Sequence, residues 1–158
     1  METAKHVLEL SEKELENVSR VIVNPHECHV ESSFYEIFAI RGIRVDRVQP
    51  GLISCTFKVP PRLTDRTGNL AVGAIANLID MLGSVLAYEV GKPVNVTVDL
   101  SILYLSNAKL DDELELTARL VGKIGVVSGT SIIITKKASG EIVAEGRNSM
   151  FTRLKSKI

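Results

Sequence analysis

The sequence predicts an α+β domain in which one antiparallel sheet wraps a single long helix. Three observations carry this. Residues 70–88 form an unbroken helical stretch with one charge, Asp80, and no proline. Period-two alternation of apolar and polar residues flanks that stretch on both sides. Three or more strands follow it with short turns between them, which suits an antiparallel sheet packed on one helix.

The elements follow in chain order. Ser11 and Glu14 have capping-box spacing, and Leu10 and Leu15 are placed as a hydrophobic staple, so residues 11–22 read as a short peripheral helix. NPHECHVE is a loop, and a second short helix covers residues 34–39 with Ser33 as its cap. From Gly42 the period becomes two. Ile43 and Val45 alternate with Arg44 and Asp46; after Pro50-Gly51, Ile53, Cys55, Phe57 and Val59 alternate with Ser54, Thr56 and Lys58. That is a β-hairpin, ended by Pro60-Pro61. RLTDRTGN then leads into the long helix, which Gly91 and Pro93 stop.

In that helix Val72, Ile75, Ile79, Leu82 and Leu86 share one face at about 100° per residue. Gly73, Asn77, Asp80 and Ser84 form an opposite stripe of small or short polar residues. A solvated face normally carries long charged side chains, so this stripe is expected to meet protein or ligand. Beyond the helix, Val94, Val96, Val98, Leu100, Ile102 and Tyr104 point one way along a long strand, with Asn95, Thr97, Asp99 and Ser101 on the other. Strands at 113–121 and 126–136, a turn at Ser139-Gly140 and a strand over 142–152 complete the chain. The domain division expected is a helical extension over 1–40 and the main domain over 41–158.

Composition excludes several classes of function. The 158 residues carry 19 basic and 19 acidic side chains, and this zero net charge does not favour nucleic acid or anionic membrane as partner. With 4% aromatic residues and no Trp, a base-stacking platform is not expected. No apolar run approaches the ~20 residues of a membrane span. METAKHVLELSEKELE is too acidic for a signal or transit peptide, so an intracellular, cytoplasmic protein is expected, with organelle import left open.

No Walker loop, dinucleotide fingerprint or G-x-S-x-G elbow occurs. His26, Cys28 and His29 invite a metal or Cys–His reading, but only His6 remains elsewhere and no second ligand pair has zinc spacing. An ordinary polar loop is the simpler reading; neither a metal nor a cofactor is expected.

Asp80, on a helix expected to be mostly buried, needs a named partner, because a buried acid is uncommon without one. It is either a structural carboxylate met by an amide, a hydroxyl or a dimer partner, or a carboxylate that holds and deprotonates water. The helix start, Leu70–Gly73, offers free amides suited to a developing oxyanion. Gly73 and Asp80 stand two turns apart, about 10 Å, too far for one reacting carbon to touch both. If both take part, one must come from a second subunit.

The stretches DRTGNLAVGAIANLIDMLGSVLA and VNVTVDLSILYLSNAKLDDELELTARLV resemble the hotdog-fold acyl-CoA thioesterases of the phenylacetate-pathway type, which includes the acyl-CoA thioesterase 13 group; KKASGEIVAEGRNS matches that family's last hairpin. The resemblance covers residues 40–150. It implies a hotdog fold, sites at a homodimer interface, dimers pairing into tetramers, and a place in fatty acid metabolism, with the length and aromaticity of the acyl group left open. It also implies that the amide of Val72 or Gly73 polarises the thioester carbonyl, that Asp80 of the other subunit is base or nucleophile, and that Thr97 places the water. The family pattern N-x-x-G-x-x-H-G-G reads Asp65-Arg66-Thr67-Gly68-Asn69-Leu70-Ala71-Val72-Gly73 here. Asp65 therefore joins the candidate site residues, as a charge close to the oxyanion position. Coenzyme A, as part of the substrate, calls for basic residues; Lys123, Lys136, Lys137, Arg147 and Arg153 are the candidates. The resulting expectation is hydrolysis of an acyl-CoA to a free acid and CoA. The alternative is a catalytically weak hotdog protein that binds acyl-CoA or serves in assembly.

Overall fold

In the computed structural model, residues 34–88 and 95–152 are described, together with 12, 13 and 16. The expected helix over 11–22 and the NPHECHVE loop therefore lie outside the described residues, apart from helical Glu12, Lys13 and Glu16. Gly91, Pro93, Val94 and Arg153 also lie outside them. The chain divides into two units, Met1–Ile37 and Phe38–Ile158.

The order of elements is α1 (Phe34–Ile40), β1 (Arg44–Gln49), β2 (Leu52–Lys58), a 3₁₀ turn (Pro61–Leu63), α2 (Val72–Ala87), β3 (Asn95–Tyr104), β4 (Glu113–Ile124), β5 (Val127–Lys136) and β6 (Ile142–Thr152). The strands form one antiparallel sheet in the order β1-β2-β4-β5-β6-β3. The long helix and the sheet are the α+β architecture expected. Gly51 and Gly140 close their hairpins at φ +72° and +73°, which glycine adopts without the steric cost of a Cβ.

The core is the alternating inner face of the sheet closed over α2. Phe57, Leu114, Leu116, Ile132, Ile134 and Val143 are fully buried against Leu78 and Ile79 of the helix. Burying each such side chain contributes about 1.5–3 kcal/mol. Helix and sheet approach closely, and two glycines permit it. A Cβ on Gly146 of β6 would overlap Ile79, and one on Gly83 of α2 would stand 2.8 Å from Thr130 Oγ1. Ile75, Ile79 and Leu82 are buried as their spacing suggests, with Leu78 and Ala87 added. Val72 departs from that stripe. It is 64% exposed, because the helix begins there at the rim of the core.

The alternation expected along β3 is broken. Thr97 pairs with Met150 and Asp99 with Ser149, so Val98 is an extra, bulged residue. The bulge reverses the phase of the strand. Leu100 and Ile102 pack on the core, whereas Val96 and Val98 are exposed. Before the bulge it is Thr97 that turns toward the helix. A like irregularity between Val45 and Arg47 in β1 brings Val45 and Val48 to one side despite their odd spacing.

Candidate active site

Asp80 lies in the middle of α2, half-buried, on the side of the helix that meets β3 and β6. Thr97 Oγ1 donates to Asp80 Oδ1 at 2.6 Å, and Asn148 Nδ2 donates to the same oxygen at 2.9 Å. The β3 bulge supplies the first partner and the register of β6 the second. Oδ2 takes no hydrogen bond among the described residues, and it is not one of the buried polar atoms left without a partner. One carboxylate oxygen is thus fastened and the other left open. A hydroxyl whose proton goes to Asp80 still has lone pairs to accept a bond from water. Thr97 and Asp80 together can hold a water molecule and take its proton.

Asn148 is the residue that sequence reading missed. It is 1% exposed, on the inner face of β6 between Gly146 and Met150. Its signal was present: an amide at the position where strand alternation calls for an apolar side chain. Ser128 and Thr130 of β5 are buried in the same way, and Gly83 lets the helix pass over Thr130 and Asn148.

The helix start is built from loop contacts. Thr64 and Leu70 form an antiparallel bridge, Leu70 N–H donates to Ala108 O at 2.7 Å, and Ala71 N–H donates to Leu63 O at 2.9 Å. Ala71 is extended at φ −61°, ψ 139°, and no side chain caps the helix. The Ala74 and Ile75 amides both turn back to Ala71 O. This leaves the Val72 and Gly73 amides, outside the helical ladder, at the positive end of the helix dipole. Tyr104 donates its hydroxyl to Val72 O at 3.4 Å.

Asp65 belongs to the loop before the helix. Its Oδ1 accepts from Thr67 Oγ1 at 2.7 Å, Thr67 N at 2.8 Å and Asn69 N at 3.1 Å. Those bonds, the Thr67 hydroxyl first, hold its pKa below the ordinary aspartate value. It is an ionised turn residue whose donors lie within its own loop.

The basic candidates are dispersed. Lys136 pairs with Glu141 at 2.7 Å, and Lys137 donates to Thr56 Oγ1, whose hydroxyl donates in turn to Asp46. Arg147 is exposed, 3.7 Å from Glu145. Lys136 lies opposite Leu114 at one end of β4 and Lys123 opposite Ser128 near the other. At ~3.3 Å per residue they stand about 30 Å apart, so one chain does not gather them into a single anion site.

On roughly the opposite side of α2 is an apolar pocket of ≈ 490 Å³, lined by Ile43, Val45, Val48, Ile53, Met81 and Val85 among others. Among the described residues there is no group of three or more His, Cys, Asp or Glu able to hold a metal ion. No helix among them is long and apolar enough to cross a membrane.

Comparison with known proteins decides the family. A profile described as the thioesterase superfamily matches residues 67–130, from the helix-start loop through β3 into β5. Over 102 residues the chain is 35% identical to human acyl-coenzyme A thioesterase 13, spanning 63% of this chain and 72% of that protein. The chain belongs to the thioesterase superfamily. Zebrafish thioesterase superfamily member 2 superposes with a TM-score of 0.68 at 29% identity, covering 73% of this chain and 84% of that one. A Streptococcus pneumoniae hypothetical thioesterase, solved with coenzyme A, gives 0.69 at 25% identity over 75% and 92%. The sheet closed over one helix is the hotdog fold of these enzymes, and this thioesterase is a thioester hydrolase.

Proposed function

We propose that this thioesterase hydrolyses an acyl-CoA to a free carboxylic acid and CoA at a site shared by two subunits. The observation that carries the proposal is the open Oδ2 of Asp80 beside a Thr97 hydroxyl fixed to Oδ1. Asp80 takes a proton from a water held by Thr97, and that water attacks the thioester carbonyl. The Val72 and Gly73 amides of the other subunit receive the oxyanion, a role in which one donor contributes about 2.7–4 kcal/mol. Collapse of the tetrahedral intermediate breaks the C–S bond, and the leaving sulfur takes the proton from Asp80. The substrate class rests on likeness to human acyl-coenzyme A thioesterase 13 and to the streptococcal thioesterase solved with coenzyme A.

Two subunits are required because Asp80 and Gly73 stand about 10 Å apart along one helix. The sheet edges support pairing. β1 is short and carries Arg44, Asp46 and Arg47 with an irregular register, devices that guard an edge. β3 is an edge strand of ten residues with one charge, Asp99, and exposed Val96, Val98 and Leu103. A long apolar edge of that kind favours a second copy of the chain. The acidic loop residue Asp65 is assigned to shaping the turn before the helix, and coenzyme A phosphates to Lys or Arg side chains brought together by assembly.

The test is steady-state release of free thiol from a panel of straight-chain and arylacetyl-CoA thioesters, with Asp80→Asn as the variant. Turnover by the parent and its loss in Asp80→Asn, with KM little changed, supports the assignment. Unchanged kcat in Asp80→Asn overturns it. Tight binding of acyl-CoA without turnover favours an acyl-CoA carrier instead.

A further inference from the structure

The structure assigns to Asn148 a positioning role: with Thr97 it fastens Oδ1 of Asp80, so that Oδ2 is the oxygen that takes the proton. This inference rests on the catalytic assignment of Asp80 above.

Three observations converge on it. Asn148 is 1% exposed and sends Nδ2 to the same carboxylate oxygen that Thr97 engages. Its orientation follows from chemistry, since the opposite flip would set an amide oxygen against a carboxylate. That orientation leaves Asn148 Oδ1 buried without a partner among the described residues, and Thr130 Oγ1 nearby is in the same condition. A buried, unpaired acceptor is unfavourable. An apolar side chain of similar shape would fill the space with no orphaned oxygen. What the amide supplies is the bond to Asp80.

The geometry also explains Gly83. A Cβ there would stand 2.8 Å from Thr130 Oγ1 and 3.1 Å from Asn148 Nδ2. Glycine lets the helix seat deeply enough for Asn148 to reach the carboxylate from beneath while Thr97 reaches it from β3. Two donors from two strands remove the freedom of the carboxylate to rotate. A base placed about 1 Å off line loses on the order of 10²-fold in rate.

The experiment is a double-mutant cycle on the best acyl-CoA of the panel. Asn148→Leu keeps the branched shape, at a larger volume, and removes the donor; it should lower kcat by roughly 10- to 100-fold with KM within about twofold. In an Asp80→Ala background the same substitution should change the residual rate by less than about twofold, because groups that act as a unit are non-additive. Asn148→Asp, matched in size, covers the case in which Asn148→Leu fails to fold. It places an acceptor against Oδ1 and should lose at least as much kcat. A folded Asn148→Leu or Asn148→Asp with parental kcat, or a full additional loss on top of Asp80→Ala, overturns the role of Asn148. If Asp80→Ala itself keeps parental kcat, the catalytic reading of Asp80 fails instead.

Discussion

Replacing Val72 by proline removes one amide proton from the mouth of α2 and very little else. Val72 is the first helical residue, where a missing N–H breaks no intrahelical bond and a φ near −65° is already required. The residue before a proline must be extended, and Ala71 already is, at φ −61° and ψ 139°. The valine side chain is 64% exposed, so little packing is lost. Stability should hold, whereas an interior proline costs ~3 kcal/mol. If the Val72 amide receives the oxyanion, its loss costs about 2.7–4 kcal/mol in the transition state, on the order of 10²–10³ in kcat. Thiol-release kinetics and a thermal melt on the same sample read both quantities. A Val72→Pro enzyme with parental Tm and parental kcat refutes the oxyanion assignment for that amide.

Two further outcomes concern the scaffold. Gly146→Ala sets a Cβ into Ile79 on the buried face of α2 and should destabilise the fold by about 1–3 kcal/mol, read as a lower urea midpoint. Asp65→Asn should be less stable than the parent at neutral pH, because the folded carboxyl titrates below its unfolded value. That stabilisation is complete above the ordinary aspartate range of about 4 and is lost as pH falls through the folded pKa. The gap between the two urea midpoints should therefore close in acid; a gap independent of pH would contradict it.

Much of the fold was legible because a few local signals agreed. Helical spacing with a single charge and no proline marked α2 within a residue or two of its start and end, and Pro50-Gly51 and Ser139-Gly140 marked two hairpin turns. Asp80 stands out in the sequence as the one charge on that helix, and the structure sets Thr97, expected only to place a water, within hydrogen-bond distance of it. The misses share one cause, which is that register is a pairing property. Nothing within NVTVDLSILY says that Val98 is bulged, yet the bulge decides that Thr97 rather than Val96 faces the helix. Val72 follows the apolar spacing but lies past the rim of the core, a fact of where the sheet ends. Asn148 shows in the sequence only as an amide out of step with the apolar alternation of its strand; its bond to Asp80 becomes visible when β6 is laid against α2. Lys123 and Lys136 look alike as basic residues, while the β4–β5 pairing sends them to opposite ends of a hairpin.

Mixed dimers offer the most direct measurement on the shared site. When differently tagged Asp80→Asn and Val72→Pro chains are combined and the mixed species purified, one site draws an intact Asp80 and an intact Val72 amide from different chains, while the other is doubly defective. Thiol release by the mixed dimer should return to about half the parental rate per dimer, against near-background rates for either variant alone. A mixed dimer no more active than its parents, or a parent enzyme that turns over as a monomer, would contradict a site built from two subunits.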